Sequence, residues 1–220
     1  LTIPQGKFVS LVGESGCGKS TISALLMGRN KSYTGSVAIG GAELRNIEKA
    51  SLMRRITYVS HQSYLFKGTV RDNLLMGKSG ASNDELWSAL TQVNLADFLR
   101  GEAGLDTLLS ERGENLSGGQ RQRMTIARAL VRKPEILILD DAASALDYAT
   151  GAALNRALRE TDFSPTVITV SQRVSAIRNA DVIAVLDEGE IVGIGTNKEL
   201  LENCLVYKEI YDSQLESEAM

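Results

Sequence analysis

Apolar runs of about five residues recur along the chain, separated by longer stretches with helical spacing. Runs that are apolar at almost every position are typical of strands buried on both faces of a parallel sheet. Because such runs alternate with helical stretches, the pattern predicts an α/β fold with a parallel sheet. The predicted strands cover residues 8–12, 35–39, 56–60, 136–139, 166–170 and 182–186.

The helical stretches are recognised by their spacing and by the residues that end them. Gly28 and Pro134 each stand shortly after a helical stretch, where they favour its termination. Near the end of the chain the pattern predicts an amphipathic helix or a pair of helices. The predicted helices cover 20–27, a stretch from Asn83 onward, 119–131 and 198–215.

The middle of the chain differs from the rest because 78–132 contains no strong strand. We therefore interpret residues 1–220 as one domain. Its core takes in 1–77 and 133–220, and a mostly helical subdomain takes in about 78–132.

Composition argues against several classes of function. The net charge of −3 arises from 24 basic and 27 acidic residues, so no nucleic-acid partner is expected. No apolar run approaches the roughly 20 residues of a membrane helix, and no signal peptide is visible. Cys17 and Cys204 are too few for a disulfide framework, which favours a reducing compartment. Without an initiator Met before Leu1, the chain is interpreted as a piece of a longer protein.

A glycine-rich loop follows the first predicted strand. It matches the pattern G-x-x-x-x-G-K-[ST], in which backbone N–H groups turn inward around a phosphate at the start of a helix. Lys19 would add a positive charge for the β- and γ-phosphates, and Ser20 a hydroxyl for Mg²⁺. The predicted nucleotide-binding residues are Gly13, Glu14, Ser15, Gly16, Cys17, Gly18, Lys19 and Ser20, here called the phosphate loop, followed by Thr21.

A carboxylate stands at the end of the apolar run 136–139. An isolated Asp in this position is more commonly a helix cap. In a chain that also has a phosphate loop, Asp140 is predicted instead to hold Mg²⁺.

The segment Leu116-Ser117-Gly118-Gly119-Gln120 lies before a basic helix and about 20 residues ahead of Asp140. It resembles the signature sequence of ABC ATPases, and the resemblance extends over essentially the whole chain. This implies a RecA-like core with a helical signature subdomain, ATP and Mg²⁺ as ligands, and ATP hydrolysis. By the same resemblance, Gln62 is the Q-loop glutamine and a Mg²⁺ ligand, Gln172 is the switch residue, and Ser144, Ala145, Leu146 and Asp147 form the D-loop.

The family arrangement is a head-to-tail dimer with two ATP molecules at the interface. Gly118 and Gly119 permit close backbone approach, and Ser117 at a helix N-terminus points donors at an anion. A capped helix start would explain Ser117 but not two consecutive glycines. Since the chain already has one phosphate cradle, Ser117, Gly118, Gly119 and Gln120 are predicted to bind the nucleotide of a second ABC domain.

Two further segments resemble the exporter branch of the family. One runs from Gln62 to Asn73, and the other, Glu111–Gly113, precedes the signature. In exporters these segments contact the transmembrane domains, so the resemblance implies a domain on the cytoplasmic face of a membrane.

The sequence departs from the family pattern at two catalytic positions. Asp141 stands where Glu polarises the attacking water, and its carboxylate is withdrawn by roughly 1.5 Å. Such an offset can slow the reaction by about 10²-fold. Gln172 replaces the switch His and cannot titrate near neutral pH. His61 is interpreted as a packed loop residue, with a relocated switch as the alternative.

Both departures affect the nucleotide held by this chain's own phosphate loop, whereas the signature is intact. The combination resembles the degenerate-site half of a heterodimeric exporter, and a uniformly slow homodimer is the rival. The predicted catalytic residues are Lys19, Gln62, Asp141 and Gln172.

Other features leave alternatives open. The family's adenine-stacking aromatic residue lies upstream of Leu1, so the opening strands are expected to be missing. A nucleotide-binding regulatory module without hydrolysis remains an alternative, and so does a soluble ABC ATPase of DNA repair, chromosome organisation or translation. Only about 120 residues separate Lys19 from Asp140, which argues against a coiled-coil insertion.

Overall fold

Strands and helices alternate along the chain, as the hydrophobic pattern predicts. The computed structural model describes residues 1–142, 146 and 148–218. Its strands are β1 Phe8–Val12, β2 Ala38–Ile39, β3 Ala42–Glu43, β4 Ile56–Ser60, β5 Gly68–Thr69, β6 Leu108–Leu109, β7 Ile136–Asp140, β8 Thr166–Val170, β9 Val182–Asp187 and β10 Glu190–Gly195. Its helices are α1 Lys19–Leu26, α2 Lys49–Arg55, α3 Val70–Leu75, α4 Asn83–Gln92, α5 Ala96–Arg100, α6 Gly118–Leu130, α7 Tyr148–Arg159, α8 Val174–Ile177, α9 Asn197–Asn203 and α10 Leu205–Glu218.

A six-stranded sheet has the order β10-β9-β1-β8-β7-β4. β1 pairs parallel with β8 and β9, β7 pairs parallel with β8, and β10 runs antiparallel to β9. Every residue of β1 and β8 is buried, which accounts for their apolar side chains at all positions but Ser10, Thr166 and Thr169. The predicted α/β fold with a parallel sheet is therefore confirmed.

The two faces of the sheet bury different groups of side chains. Leu11 belongs to a cluster with Leu52 and Ile138, whereas its neighbour Val12 belongs to one with Ile183 and Tyr207. Successive residues of a strand point to opposite faces, so this alternation places an apolar layer on each side of β1.

The strand β10 is missing from the sequence-based prediction. Glu188 and Gly189 both have positive φ, 45° and 86°, between β9 and β10. Two consecutive positive φ values are typical of the tight turns that join antiparallel strands, and Gly tolerates them without strain. A Glu-Gly pair between two apolar runs was thus a usable, though weak, hairpin signal.

The helix boundaries agree closely with the pattern at α1 and α6. The C-terminal stretch forms a pair of helices, α9 and α10, rather than one. The predicted strand 35–39 is reduced to Ala38–Ile39, which pairs with β3 in a two-residue ribbon.

Contacts between residues group the chain into two compact units. The first comprises Leu1–Tyr58, Ile136–Asp140 and Thr166–Met220, and the second comprises Val59–Glu135 and Asp141–Pro165. The first unit contains the six-stranded sheet except for the last two residues of β4, and the second contains α3 to α7. The predicted helical subdomain at 78–132 falls inside the second unit, and its limits stay a prediction.

Three helix starts in the second unit are fixed by reciprocal caps. The N-cap side chain of α3, α4 and α6 accepts a hydrogen bond from the third helical residue, whose side chain in turn accepts one from the N-cap backbone. The cap pairs are Thr69 with Asp72, Ser82 with Glu85, and Ser117 with Gln120. Within the described ranges, no helix is both long and apolar enough to cross a membrane.

Candidate functional site

The phosphate loop joins the end of β1 to the start of α1, both in the first unit. Gly16 and Gly18 have φ of 87° and 107°, which residues with a Cβ rarely adopt. A Cβ built at Gly16 would meet no atom within 4 Å, so the loop borders open space. At Gly13 the reason for glycine differs, since a Cβ would lie 2.1 Å from the carbonyl oxygen of Leu186.

Lys19 folds back over the loop that precedes it. Its Nζ donates to the carbonyl oxygens of Gly13 at 2.7 Å and Glu14 at 2.6 Å, and lies 3.4 Å from Sγ of Cys17. The side chain is only 8 % exposed. The ammonium, held by three uncharged partners, therefore brings a positive charge to the start of α1, beside the exposed Ser20.

Asp140 ends β7 at the carboxyl edge of the sheet. It lies opposite Val170 of β8, and Val170 lies opposite Leu11 of β1. In sheets of this kind the carboxyl ends of parallel strands form the ligand crevice. The first unit thus places Asp140 and the phosphate loop at the same edge.

A tyrosine that the sequence interpretation missed contacts this carboxylate. The hydroxyl of Tyr58, on β4, donates to Oδ2 of Asp140 at 2.7 Å. Burial, and then the neighbouring carboxylate, raise the pKa of Tyr58 to about 12. The phenol therefore remains a donor at neutral pH.

Gln172 follows β8 at the same carboxyl edge, with its side chain exposed. Its carbonyl oxygen accepts a hydrogen bond from the side-chain amide of Gln214, and Oε1 of Gln214 accepts from the backbone N–H of Val174 at 2.6 Å. The side-chain amide of Gln214, on α10, thus binds the backbone at two points of the segment after β8. This contact joins residues about 40 positions apart, and no sequence signal marks it.

In the second unit, the signature segment forms the start of α6. The side chains of Ser117 and Gln120 are engaged in the cap of their own helix, with hydrogen bonds of 2.8 and 3.2 Å. Gly118 is exposed, and a Cβ there would meet nothing within 4 Å. The cap explains Ser117 and Gln120, whereas the bare glycine leaves the helix N-terminus open to a partner.

Gln62 lies in the second unit on an exposed loop after β4. Oγ of Ser60 donates to the carbonyl oxygen of Gln62 at 3.1 Å. The next turn is held from α6, because Ser63 Oγ donates to Oε1 of the buried Gln122 and Nε2 of Gln122 donates to the carbonyl of Ser60. His61 is exposed, so the expectation that it packs within the loop is wrong.

The segment from Gln62 to Asn73 has an alternating surface. Leu65 is completely buried, whereas Tyr64 and Phe66 are 47 % and 45 % exposed with ring centroids 4.9 Å apart. The buried amide of Asn73 exchanges hydrogen bonds of 2.9 Å with the backbone of Phe66.

The second exporter-like segment, Glu111–Gly113, contacts the first. A Cβ at Gly113 would lie 2.8 Å from Cδ1 of Leu65, so the backbone there packs directly on the leucine. Arg112, with φ of 57°, stands in the turn just before this contact. The second unit therefore brings the two exporter-like segments together.

Asp141 is half-buried and has φ of 51°. Asp is among the few residues with a side chain that adopt such a left-handed conformation readily. The predicted D-loop residues Ser144, Ala145 and Asp147 lie outside the described residues, and Leu146 is buried.

Comparison with known proteins agrees with these features. The family model for ABC transporters matches residues 1–144. An uncharacterized ABC transporter ATP-binding protein of Haemophilus influenzae is 41 % identical over 99 % of this chain. Multidrug resistance protein pgp-1 of Caenorhabditis elegans is 38 % identical over the whole chain. The chain spans 39 % and 17 % of the length of these two relatives.

A solved structure supports the same assignment. The chain superposes on a bacterial Atm1-family ABC exporter with ATP bound, with a TM-score of 0.91 and 37 % identity. The match covers 96 % of this chain and 38 % of the exporter chain. On its sequence, its fold and these relatives, the chain belongs to the ABC transporter family, as an ATP-binding domain of the exporter type.

Proposed function

We propose that this domain binds MgATP at its phosphate loop, hydrolyses it slowly, and completes a faster ATP site on a different subunit of an exporter. The observation that carries the proposal is the placement of Asp140 at the sheet edge from which the phosphate loop emerges. A phosphate cradle and a carboxylate at one edge supply the two parts that a nucleotide with its metal requires.

The loop residues fit the phosphates of ATP. The space above Gly16 is open, and the Lys19 ammonium is held by carbonyl oxygens that phosphate oxygens can replace. Hydrogen bonds from an ammonium to a phosphate are charge-assisted and stronger than those to a carbonyl. The backbone of Gly13 to Ser20, with Thr21 behind it, is the proposed cradle for ATP.

The metal-binding residues fit Mg²⁺. This ion is usually held by one or two protein oxygens together with phosphates and water. Ser20 and Asp140 provide a hydroxyl and a carboxylate, and Gln62 is the proposed third ligand. When bound, Mg²⁺ neutralises charge that develops on the transferred phosphoryl group.

Slow hydrolysis follows from the residues around the attacking water. Asp141 is the proposed base, and its side chain is one methylene shorter than the usual Glu. Gln172 is the proposed donor to the γ-phosphate, in the position where the family has His. Lys19 and Gln62 complete the proposed catalytic set. Only the Asp141 and Gln172 positions depart from the family, so the proposed effect is on rate and not on ATP binding.

The signature is the proposed contribution to a partner. Its exposed, capped helix start with Gly118 and Gly119 is suited to the phosphates of a nucleotide held by a second ABC domain. A head-to-tail heterodimer would combine this intact signature with a partner that carries Glu and His at the two departing positions.

Transport coupling is proposed for the exporter-like segments. The exposed pair of Tyr64 and Phe66, next to Glu111–Gly113, offers an apolar surface for the transmembrane domains of the exporter. The proposed location of the domain is accordingly the cytoplasmic face of a membrane, without a nucleic-acid partner.

The test is ATP turnover by the full-length transporter with and without the double substitution Asp141→Glu/Gln172→His. We expect a rise of at least about tenfold in single-turnover hydrolysis at this subunit, given the ~10²-fold effect of a misplaced base. The matched control is Asp141→Asn, which keeps the size and the left-handed backbone preference of Asp but removes the carboxylate.

Each result separates the alternatives. A rise in the double variant together with a loss in Asp141→Asn supports a slow but working site. An unchanged rate in both variants would contradict the proposal and favour a module that binds nucleotide without hydrolysing it. Co-purification of the full-length protein only with itself would instead support the homodimer.

A further inference from the structure

Tyr58 stands at the metal end of the site although it belongs to none of the nucleotide-binding motifs. It lies in β4, next to β7 in the sheet, and donates its hydroxyl proton to Oδ2 of Asp140 at 2.7 Å. The two residues are 82 positions apart in the chain. The phenol therefore reaches the carboxylate because β4 and β7 are adjacent strands of the sheet.

The tyrosine ring is itself held in place. The guanidinium of Arg29 lies 5.1 Å from the ring centroid, in cation–π contact. Arg29 follows α1, and its backbone N–H donates to the carbonyl of Ala24 in that helix. The helix that begins with Lys19 and Ser20 thus leads into the residue that covers the ring.

A fixed hydrogen bond changes what a carboxylate offers a metal. With Oδ2 engaged by Tyr58, Asp140 is restrained in rotation and its Oδ1 is the less encumbered oxygen. Mg²⁺ requires near-octahedral ligands at about 2.0–2.1 Å, whereas Ca²⁺ accepts carboxylates through both oxygens at about 2.3–2.6 Å. A carboxylate restrained to one oxygen therefore favours Mg²⁺ over Ca²⁺.

We propose that Tyr58 is a positioning residue that holds Asp140 for Mg²⁺ and discriminates against larger divalent cations. This inference rests on the proposed function, in which Asp140 binds the metal of MgATP. Partners in the second shell of metal sites commonly contribute about 10- to 100-fold in metal affinity. Tyr58 acts through Asp140 and need not touch the nucleotide.

The experiment measures metal-dependent nucleotide binding, not turnover. Full-length transporter is labelled with 8-azido-ATP at increasing free Mg²⁺ or Ca²⁺, and the label on this subunit is resolved by electrophoresis. For Tyr58→Phe we expect a 10- to 100-fold higher half-saturating Mg²⁺ concentration. The half-saturating Ca²⁺ concentration should rise by a smaller factor. The ratio of Ca²⁺ to Mg²⁺ half-saturating concentrations, which measures the preference for Mg²⁺, should therefore fall.

The matched control is Tyr33→Phe. Tyr33 also donates its hydroxyl to a carboxylate in the first unit, Oε1 of Glu43 at 2.5 Å, but that carboxylate belongs to the two-stranded ribbon of β2 and β3 and not to the six-stranded sheet that carries Asp140. Both substitutions remove one phenol-to-carboxylate hydrogen bond without changing the ring. The control should leave both metal titrations unchanged.

A graded second variant tests the role of the ring contact. Arg29→Gln removes the cation over the ring and leaves the Tyr58 hydroxyl in place. We expect a smaller shift in the Mg²⁺ titration than for Tyr58→Phe and in the same direction.

The outcomes distinguish this inference from the function on which it rests. If Tyr58→Phe has the same half-saturating Mg²⁺ concentration and the same half-saturating Ca²⁺ concentration as the unsubstituted protein, the role of Tyr58 is overturned. The MgATP site itself would not be affected by that result. Labelling of the unsubstituted subunit that does not depend on any divalent cation would overturn the MgATP site itself.

Discussion

Ser63 donates its hydroxyl proton to Oε1 of Gln122, an amide that is 1 % exposed on the signature helix α6. The same amide donates through Nε2 to the carbonyl oxygen of Ser60 at 3.3 Å. The backbone on both sides of Gln62 is therefore held by a residue five positions after the signature serine.

Replacing this amide tests whether it supports the Gln62 loop. Gln122→Met keeps the length of the side chain but leaves the Ser63 hydroxyl and the Ser60 carbonyl without their partner. We expect a loss of about 1–3 kcal/mol in the free energy of unfolding, measured by urea denaturation, and reduced ATP turnover. Gln92→Met changes a partly exposed amide at the C-terminal end of α4 and should change neither quantity. Equal effects of the two substitutions would contradict the proposed support.

Gly77 permits a close backbone approach within the second unit. A Cβ at this position would lie 2.3 Å from the carbonyl oxygen of Arg128. Gly77→Ala should therefore lower the free energy of unfolding by about 1–3 kcal/mol through overpacking. Gly80→Ala is the control, because a Cβ there meets no atom within 4 Å. If the urea midpoint of Gly77→Ala is at or above that of Gly80→Ala, the prediction is wrong. The backbone at Gly77 would then move away from the carbonyl of Arg128 without loss of stability.

Thiol modification probes the phosphate loop. Cys17 is 6 % exposed, and its Sγ lies 3.4 Å from Nζ of Lys19, so a maleimide adduct would occupy the space beside the cradle. We expect N-ethylmaleimide to abolish labelling by 8-azido-ATP and prior binding of ATP to protect. Cys204→Ser should remain sensitive and Cys17→Ala should become resistant to the reagent. Modified Cys17 with undiminished labelling would refute this.

Alkaline pH should destabilise the fold through Tyr207. This side chain is fully buried and donates its hydroxyl to Oδ1 of Asn197 at 2.7 Å, and burial raises its pKa to about 12 from the usual 10. Since the folded state retains the proton longer than the unfolded state, the stabilisation is complete below about pH 10 and is lost as pH rises towards 12. In urea denaturation between pH 8 and 11, Tyr207→Phe should show a shallower decline than Tyr64→Phe, which changes an exposed ring. Parallel declines would exclude Tyr207 as the cause.

Local patterns predicted much of this molecule. The phosphate loop, the strand ending at Asp140 and the helix starting after Ser117 each depend on a few consecutive residues, so the chain itself reveals them. The parallel sheet followed from runs such as 136–139, because strands buried on both faces carry mainly apolar residues.

Contacts between distant segments were not predictable in this way. Tyr58 meets Asp140 because β4 and β7 are neighbours, and strand order is decided by the packing of the whole sheet. The same holds for Gln214, whose amide reaches the backbone of Gln172 from α10. A motif can be recognised in a single sequence. The side chains that hold the motif in place come from distant parts of the chain, and no local pattern marks them.

The alternation at residues 64–66 has a consequence for how such domains diverge. Leu65 is completely buried, while the rings on either side of it are nearly half exposed. Mutations at Tyr64 or Phe66 can therefore accumulate without unfolding the protein, and Leu65 keeps the backbone in position meanwhile. A lineage can therefore vary these two side chains, and with them the surface that the segment presents, while the backbone between them stays in place.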